Sequence, residues 1–288
     1  MSQKIESVLV AGSGVMGRGI ALAFLRSGCH VAILSRKPDQ VPAIVKGAEG
    51  VGELPERAPD LIVESIPEDV ALKQALYAKI EARYRGAPII ATNTSGLPLE
   101  ELAAKLTYPQ RFVGLHYFQP ADVMPMVELC KTLDTSDDVA DAVAKAVEAC
   151  GQKSILLQRP IVGFLMNRLQ HAILHEAYYL IDEGVCGPAE VDEVARHLLG
   201  PRRCITGLIE QKDISGLDTH AVVQRTIVPH LNHSAAPMRA CQSLYEAGHY
   251  GIKTGRGFYD WTKRDGKAYA AKAKAKLEAL ISFLAKQG

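Results

Sequence analysis

The chain has 288 residues, of which 48% are hydrophobic, enough for one large core or two medium ones. It balances 33 Lys and Arg against 32 Asp and Glu, a formal net charge of +1, which leaves no electrostatic footprint for nucleic acid or a membrane surface. No apolar run reaches the roughly 18 residues of a membrane helix, and the apolar stretch in MSQKIESVLVAG is too short for a signal peptide.

From the N-terminus to about residue 160, short apolar runs alternate with longer helical patterns. Ser7 to Val10 reads as a strand, Val15 to Arg26 as a helix and Val31 to Leu34 as the next strand. Leu61 to Val63, Ile89 to Ala91, Phe112 to Leu115 and Ser154 to Leu157 continue the strands. Val70 to Tyr84, Pro98 to Leu106 and Asp137 to Cys150 continue the helices. This alternation predicts a parallel sheet covered on both faces. After Pro160 the pattern becomes helical, with a long apolar helix over Val162 to Glu183 and another over Pro188 to Leu199. The Ala/Lys-rich tail reads as a surface helix. The predicted architecture is an α/β domain over 1–160 followed by an all-helical domain over 161–288. The six cysteines are scattered and form no CxxC, so we read them as reduced, mostly buried thiols of a cytoplasmic protein without a metal site.

The first strand runs into Gly12-Ser13-Gly14-Val15-Met16-Gly17 and then a helix. In GxGxxG at this place the first glycine permits a tight turn. The second lets backbone approach a pyrophosphate, and the third lets helix pack on strand. Unpaired N–H groups and the positive helix end then face the phosphates. The 1–160 domain is therefore of Rossmann type. The second strand ends in Ser35-Arg36-Lys37, about 20 residues on, where such a fold reads the adenosine ribose. An NAD-binding chain usually places Asp or Glu there. A hydroxyl and a guanidinium suit a 2′-phosphate instead, which favours NADP(H), with NAD(H) as the alternative.

FVGLHYFQPADVMPMVELC holds His116 and, twelve residues later, Glu128. Removing the hydroxyl proton of a secondary alcohol needs a base, and a neutral His tuned by a carboxylate suits the task. Taken alone, a buried His with a distant Glu is more often structural than catalytic.

Gly12–Gly17, ATNTSGLPLEEL (91–102), GLHYFQPADVMPMVEL (114–129), VGFLMNRL (162–169), ISGLDT (214–219) and GIKTGRGFYDW (251–261) occur in the order and spacing of the L-3-hydroxyacyl-CoA dehydrogenase family, which the chain resembles over nearly its whole length. The resemblance implies that His116 is the catalytic base and Glu128 its orienting partner. It implies that Ser95 meets the substrate's 3-oxygen or lies near the nicotinamide, that Asn167 holds a substrate carbonyl and that Asn93 lies along the cofactor. Glu68 would border the nicotinamide side, with Lys73 following on the next helix. The helical domain would complete the substrate cleft and pair two subunits into a homodimer.

Two stretches depart from the family pattern. Fatty-acid members insert a long helical excursion after the second strand that helps bind coenzyme A; here only KPDQVPAIVKGAEGVGELPERAP lies there. Where members commonly show Gly-Pro-Phe-Glu, this chain has Gly207-Leu208-Ile209-Glu210, preceded by Arg202-Arg203. That segment resembles the branch acting on free hydroxy acids, such as L-gulonate or carnitine dehydrogenases and lambda-crystallin. The two arginines are either a carboxylate clamp or a solvated loop. The expected activity is hydride transfer between a nicotinamide cofactor and a small 3-hydroxy or 3-keto acyl substrate. The alternatives are a free hydroxy acid as substrate, or a non-catalytic NADPH-binding protein.

Overall fold

The computed structural model describes residues 3–287. The chain divides into two units between Arg168 and Leu169. The first is built on an eight-stranded sheet. Its strands are β1 (Ser7–Ala11), β2 (His30–Leu34), β3 (Glu49–Val51), β4 (Leu61–Glu64), β5 (Ile89–Thr92), β6 (Phe112–His116), β7 (Met126–Lys131) and β8 (Lys153–Leu157). They lie side by side in the order β3-β2-β1-β4-β5-β6-β7-β8. Its helices are α1 (Val15–Arg26), α2 (Val41–Ile44), α3 (Val70–Tyr84), α4 (Leu99–Ala103) and α5 (Asp137–Ala149). Separate apolar clusters pack on the sheet. One joins Val8, Val10, Ile33 and Val63 to Ile20 and Phe24 of α1 and Val143 of α5. The other joins Leu9, Ile62 and Ile90 to Tyr77 and Ile80 of α3. Alternate residues of one strand thus feed opposite faces, as the period of two requires.

The parallel expectation needs one correction. β6 and β7 are antiparallel, with His116 directly opposite Glu128, while β7 and β8 are parallel again. β3 and β7 are the strands that the apolar runs did not reveal. β3 has three residues at the sheet edge and is at most half-buried. β7 carries Glu128 and Lys131 within its apolar run.

Strand order reverses between β1 and β4, the switch point at which open α/β sheets bind ligands. Gly12 sits there at φ +122, and a Cβ on it would lie 2.4 Å from the Ser65 carbonyl oxygen. Only glycine lets the turns after β1 and β4 approach so closely.

α6 (Phe164–Asp182) begins in the first unit. The second unit continues with α7 (Pro188–Val194), α8 (Gly200–Ile205), α9 (Glu210–Ser215), α10 (Leu217–Ile227), α11 (Arg239–Glu246) and α12 (Gly266–Ala285). The helix read over Pro188 to Leu199 widens into a π-helical stretch at Ala195–Leu199 before α8. Asp265 caps α12 by accepting from the N–H groups of Lys267 and Ala268. Tyr259 donates to Asp192 of α7, and Phe258 stacks on Tyr178 of α6, so the GRGFY turn is tied to two helices. Among the described residues of this unit none is buried, and Ile205, Ile209, Ile214 and Leu198 are largely exposed. Of the six free cysteines only Cys130 and Cys150 are buried, fewer than the composition suggested. Among the described residues no helix is long and apolar enough to cross a membrane.

Candidate active site

The residues singled out in the first unit follow the carboxyl ends of the parallel strands. The glycine turn follows β1, Ser35 follows β2, Glu68 follows β4, Asn93 and Ser95 follow β5, and His116 ends β6. Because the strands are parallel, residues scattered over a hundred positions reach one edge of the sheet.

The turn after β1 fits a dinucleotide pyrophosphate. α1 is preceded by Gly14 at its N-cap, with no side-chain cap and no acidic residue in its first turn, so its leading N–H groups remain available. A Cβ on Gly14 would meet nothing within 4 Å, whereas one on Gly17 would lie 1.9 Å from the Gly12 carbonyl oxygen. The middle glycine therefore keeps space for a ligand, and the outer ones let backbones pack. Val15, at the mouth of this space, is an exposed apolar side chain, and Met16 is half-buried. Ser35 is buried, with its Oγ 3.0 Å from Ser13 Oγ, and it accepts the Lys37 N–H. The tip of β2 thus touches the glycine turn itself. The side chains of Arg36 and Lys37 are exposed.

At the other end of the edge, His116 Nδ1 lies 2.8 Å from Glu128 Oε2. Both residues are buried. The other carboxylate oxygen, Oε1, accepts the N–H groups of Leu165 and Met166 at 2.9 and 2.7 Å, in the first turn of α6. A carboxylate at a helix N-terminus is favoured by the helix dipole as well as by these bonds. Gly163 and Phe164 both have positive φ, +81 and +52, which turns the chain so that the following N–H groups meet Glu128. Positive φ costs an aromatic residue about 1–3 kcal/mol. Burying its ring, 1% exposed, returns a similar amount, about 1.5–3 kcal/mol. Phe118 and Phe164 flank the imidazole at ring distances of 4.6 and 5.1 Å. Because the carboxylate only accepts, Nδ1 of a neutral His116 carries the proton and Nε2 keeps a free lone pair.

Asn167 donates from Nδ2 to the Ser95 carbonyl at 2.9 Å. Asn93 accepts the Tyr117 N–H on Oδ1 and donates to Ser65. Ser95, Asn167 and, through α6, Glu128 and His116 therefore form one bonded group. Glu68 accepts from the Thr94 hydroxyl and from the N–H groups of Ser95 and Gly96. Partial burial alone would raise its carboxyl, but the Thr94 bond, the Lys73 charge and the Ser95 bond hold it below the usual range.

Lys73 lies on α3, the helix after Glu68, with its side chain turned inward. It is 1% exposed, with its ammonium 2.6 Å from Glu64 and 3.2 Å from Glu68. Sequence reasoning passed over Glu64 and Thr94. Glu64 is 0% exposed and accepts from Lys73 and the Ile66 N–H on Oε1 and from Tyr77 and Thr92 on Oε2. The available signal was a carboxylate closing the apolar run Leu61-Ile62-Val63. In the second unit, Nε and Nη1 of Arg203 are buried with no partner among the described residues, while Arg202 is exposed.

What the open turn after β1 accepts is a pyrophosphate, and what the pair across β6 and β7 can move is a proton. Together they place the protein among the nicotinamide-dependent oxidoreductases that act on a CH–OH group. Residues 7–58 and 55–159 match the family of the 3-hydroxyacyl-CoA dehydrogenase NAD binding domain, and residues 163–261 match the C-terminal domain of the same enzymes. The chain belongs to the 3-hydroxyacyl-CoA dehydrogenase family.

Among its relatives, a probable 3-hydroxybutyryl-CoA dehydrogenase from Bacillus subtilis is 30% identical, over 91% of this chain and 99% of that one. The 5-formyl-3-hydroxy-2-methylpyridine 4-carboxylate 5-dehydrogenase of Mesorhizobium japonicum is 26% identical, over 97% and 98%. A crystal structure of a 5-dehydrogenase of that acid, described as an NAD+ dependent dismutase, superposes with a TM-score of 0.89 at 26% identity, over 97% and 98% of the two chains. The crystal structure of (S)-3-hydroxybutyryl-CoA dehydrogenase from Ralstonia eutropha gives a TM-score of 0.70 at 27% identity, over 90% and 100%.

Proposed function

We propose that the protein interconverts an L-3-hydroxy acyl compound and its 3-keto form with NADP(H), His116 acting as base and Glu128 as its orienting partner. The observation that carries this reading is the buried His116–Glu128 pair, whose carboxylate is held on its far side by two α6 N–H groups. The bound nicotinamide supplies the hydride acceptor or donor. In oxidation, Nε2 of His116 takes the substrate's hydroxyl proton while Glu128 stabilises the imidazolium. In reduction the same nitrogen returns the proton. The Ser95 hydroxyl donates to the 3-oxygen. Asn167 spends one amide N–H on Ser95 and keeps its remaining groups for a substrate carbonyl. The test is a panel of acetoacetyl-CoA and free 3-keto acids, each assayed by absorbance with NADH and with NADPH. Turnover of none of them overturns the reading.

The preference for NADP(H) rests on a strand tip without a carboxylate, where Ser35 sits beside Ser13 and Arg36 is free in solvent. NAD(H) remains the alternative, since the matched domain and the dismutase are both described by NAD.

A free hydroxy acid as substrate is the second reading. Between β2 and β4 the chain forms only a 3₁₀ turn at Pro38–Gln40, the four-residue α2 and the three-residue β3, little with which to grip coenzyme A. Arg203 offers unpaired guanidinium donors, which in a buried place call for an anion. The relative from Mesorhizobium japonicum, matched over almost the whole chain, is named for a pyridine carboxylate. Faster turnover of free acids than of acetoacetyl-CoA selects this reading.

We further propose a cytoplasmic homodimer paired through the helical unit. A unit without one buried residue among those described leaves apolar side chains that a second copy is suited to cover. Six free thiols accord with a reducing compartment. Sedimentation that gives a monomer at micromolar concentration overturns the dimer.

A further inference from the structure

Four donors converge on the buried carboxylate of Glu64 from three directions. Lys73 and Tyr77 stand one turn apart on the inner face of α3, Thr92 comes from the end of β5 and the Ile66 N–H from the turn after β4. Burial, and then the charge of Glu64, hold the Tyr77 hydroxyl well above its usual range, so it stays a donor. A glutamine could keep these bonds only with its oxygen toward Lys73 and the Ile66 N–H and its NH₂ toward the Tyr77 and Thr92 hydroxyls, which would then have to accept, and it brings no charge to Lys73. Removing the carboxylate would also leave the Lys73 ammonium, 1% exposed, with Glu68 as its remaining counter-charge.

The bonds then continue outward. Lys73 meets Glu68, Glu68 accepts from Thr94, Ser95 and Gly96, and the Ser95 carbonyl takes the amide of Asn167. A wholly buried anchor thus ends on two residues of the proposed active centre. We propose that Glu64 is a positioning residue: through Lys73 it fixes Glu68, and Glu68 fixes the Thr94–Gly96 backbone that presents Ser95 and seats Asn167. The proposal rests on the dehydrogenase reading of that centre. Glu64 touches neither substrate nor cofactor and acts by holding Lys73 against the β4 tip, so that Glu68 stays aimed at the loop.

The test is a cycle of Glu64→Gln, Glu68→Gln and the double variant, on the full-length protein with the best substrate of the panel. NADPH binding stoichiometry by fluorescence counts the folded sites. Glu64→Gln should lower kcat per bound site by about 10- to 100-fold, the scale of an ångström-sized misplacement, with the KM for dinucleotide nearly unchanged. The double variant should be no worse than Glu68→Gln alone, because the relay is already cut. Losses that multiply, or an unchanged kcat per site, overturn the proposal. If Glu64→Gln does not fold, Glu64→Gln with Lys73→Met removes both charges together and should match Glu68→Gln in kcat. Wild-type turnover from that pair, or its failure to fold, makes Glu64 a folding residue and overturns the proposal. A wild type inactive on every substrate is a different outcome and strikes the dehydrogenase reading instead.

Discussion

Glu128→Gln is the sharpest test of the proposed chemistry, because the surroundings dictate how the amide must sit. Leu165 and Met166 present N–H groups to one oxygen of Glu128 at 2.9 and 2.7 Å, so the amide oxygen of a glutamine must take that side. Its NH₂ then points at His116 Nδ1, where the carboxylate oxygen now lies at 2.8 Å. A donor there forces Nδ1 to accept and moves the imidazole proton to Nε2, the nitrogen required as base. The imidazolium also loses its counter-charge in a buried place. A base held in the wrong tautomer costs about 10³- to 10⁴-fold in kcat, or about 4–5 kcal/mol of barrier. The bonds to α6 survive, so the variant should fold and titrate with dinucleotide as wild type does. Steady-state rates in both directions, normalised to binding stoichiometry, measure the loss. A kcat within about tenfold of wild type refutes the argument, since tautomer and counter-charge would then not matter to the step.

Other outcomes follow from the same coordinates. Ser35→Asp with Arg36→Ala should move the preference from NADPH toward NADH, read as the ratio of kcat/KM values, because a carboxylate at the β2 tip repels a 2′-phosphate and accepts from ribose hydroxyls. Gly14→Ala should keep the wild-type melting temperature yet weaken dinucleotide binding, since its Cβ meets no protein atom within 4 Å and enters the space over the α1 N-terminus. Gly12→Ala should lower the melting temperature, because its Cβ would lie 2.4 Å from the Ser65 carbonyl oxygen at φ +122. Asp60 accepts from the N–H groups of Glu6 and Ser7 and the Ser7 hydroxyl. Partial burial alone would raise its carboxyl, but these bonds hold it below its usual 3.8. Its stabilisation is therefore complete above that value and is lost as pH falls through the lower folded value. Asp60→Asn should lower the melting temperature near neutral pH, with a penalty that shrinks below about pH 4.

The glycine turn, the strand-helix alternation and the change to helix near residue 160 were legible because each is local. GxGxxG needs no distant partner to state its backbone requirement, and apolar periodicity reports burial residue by residue. His116 and Glu128 were legible as a pair through the family resemblance, but not from their spacing. Twelve residues of separation contain no distance, and only the antiparallel register of β6 and β7 sets them face to face. β7 escaped because Glu128 and Lys131 interrupt its apolar run, and both have structural reasons to be there: the N–H groups of α6 for one, Asp137 for the other. The burial of Lys73 was not legible because sequence cannot show a counter-charge. Its partner Glu64 lies nine residues earlier, and the two meet once α3 packs over the β4 tip. By itself the sequence determined the dinucleotide turn, the order of the elements and the inventory of reactive groups, all properties of neighbouring residues. The tertiary structure alone decided which groups touch, because burial, register and the convergence of strand ends arise from contacts between distant parts of the chain.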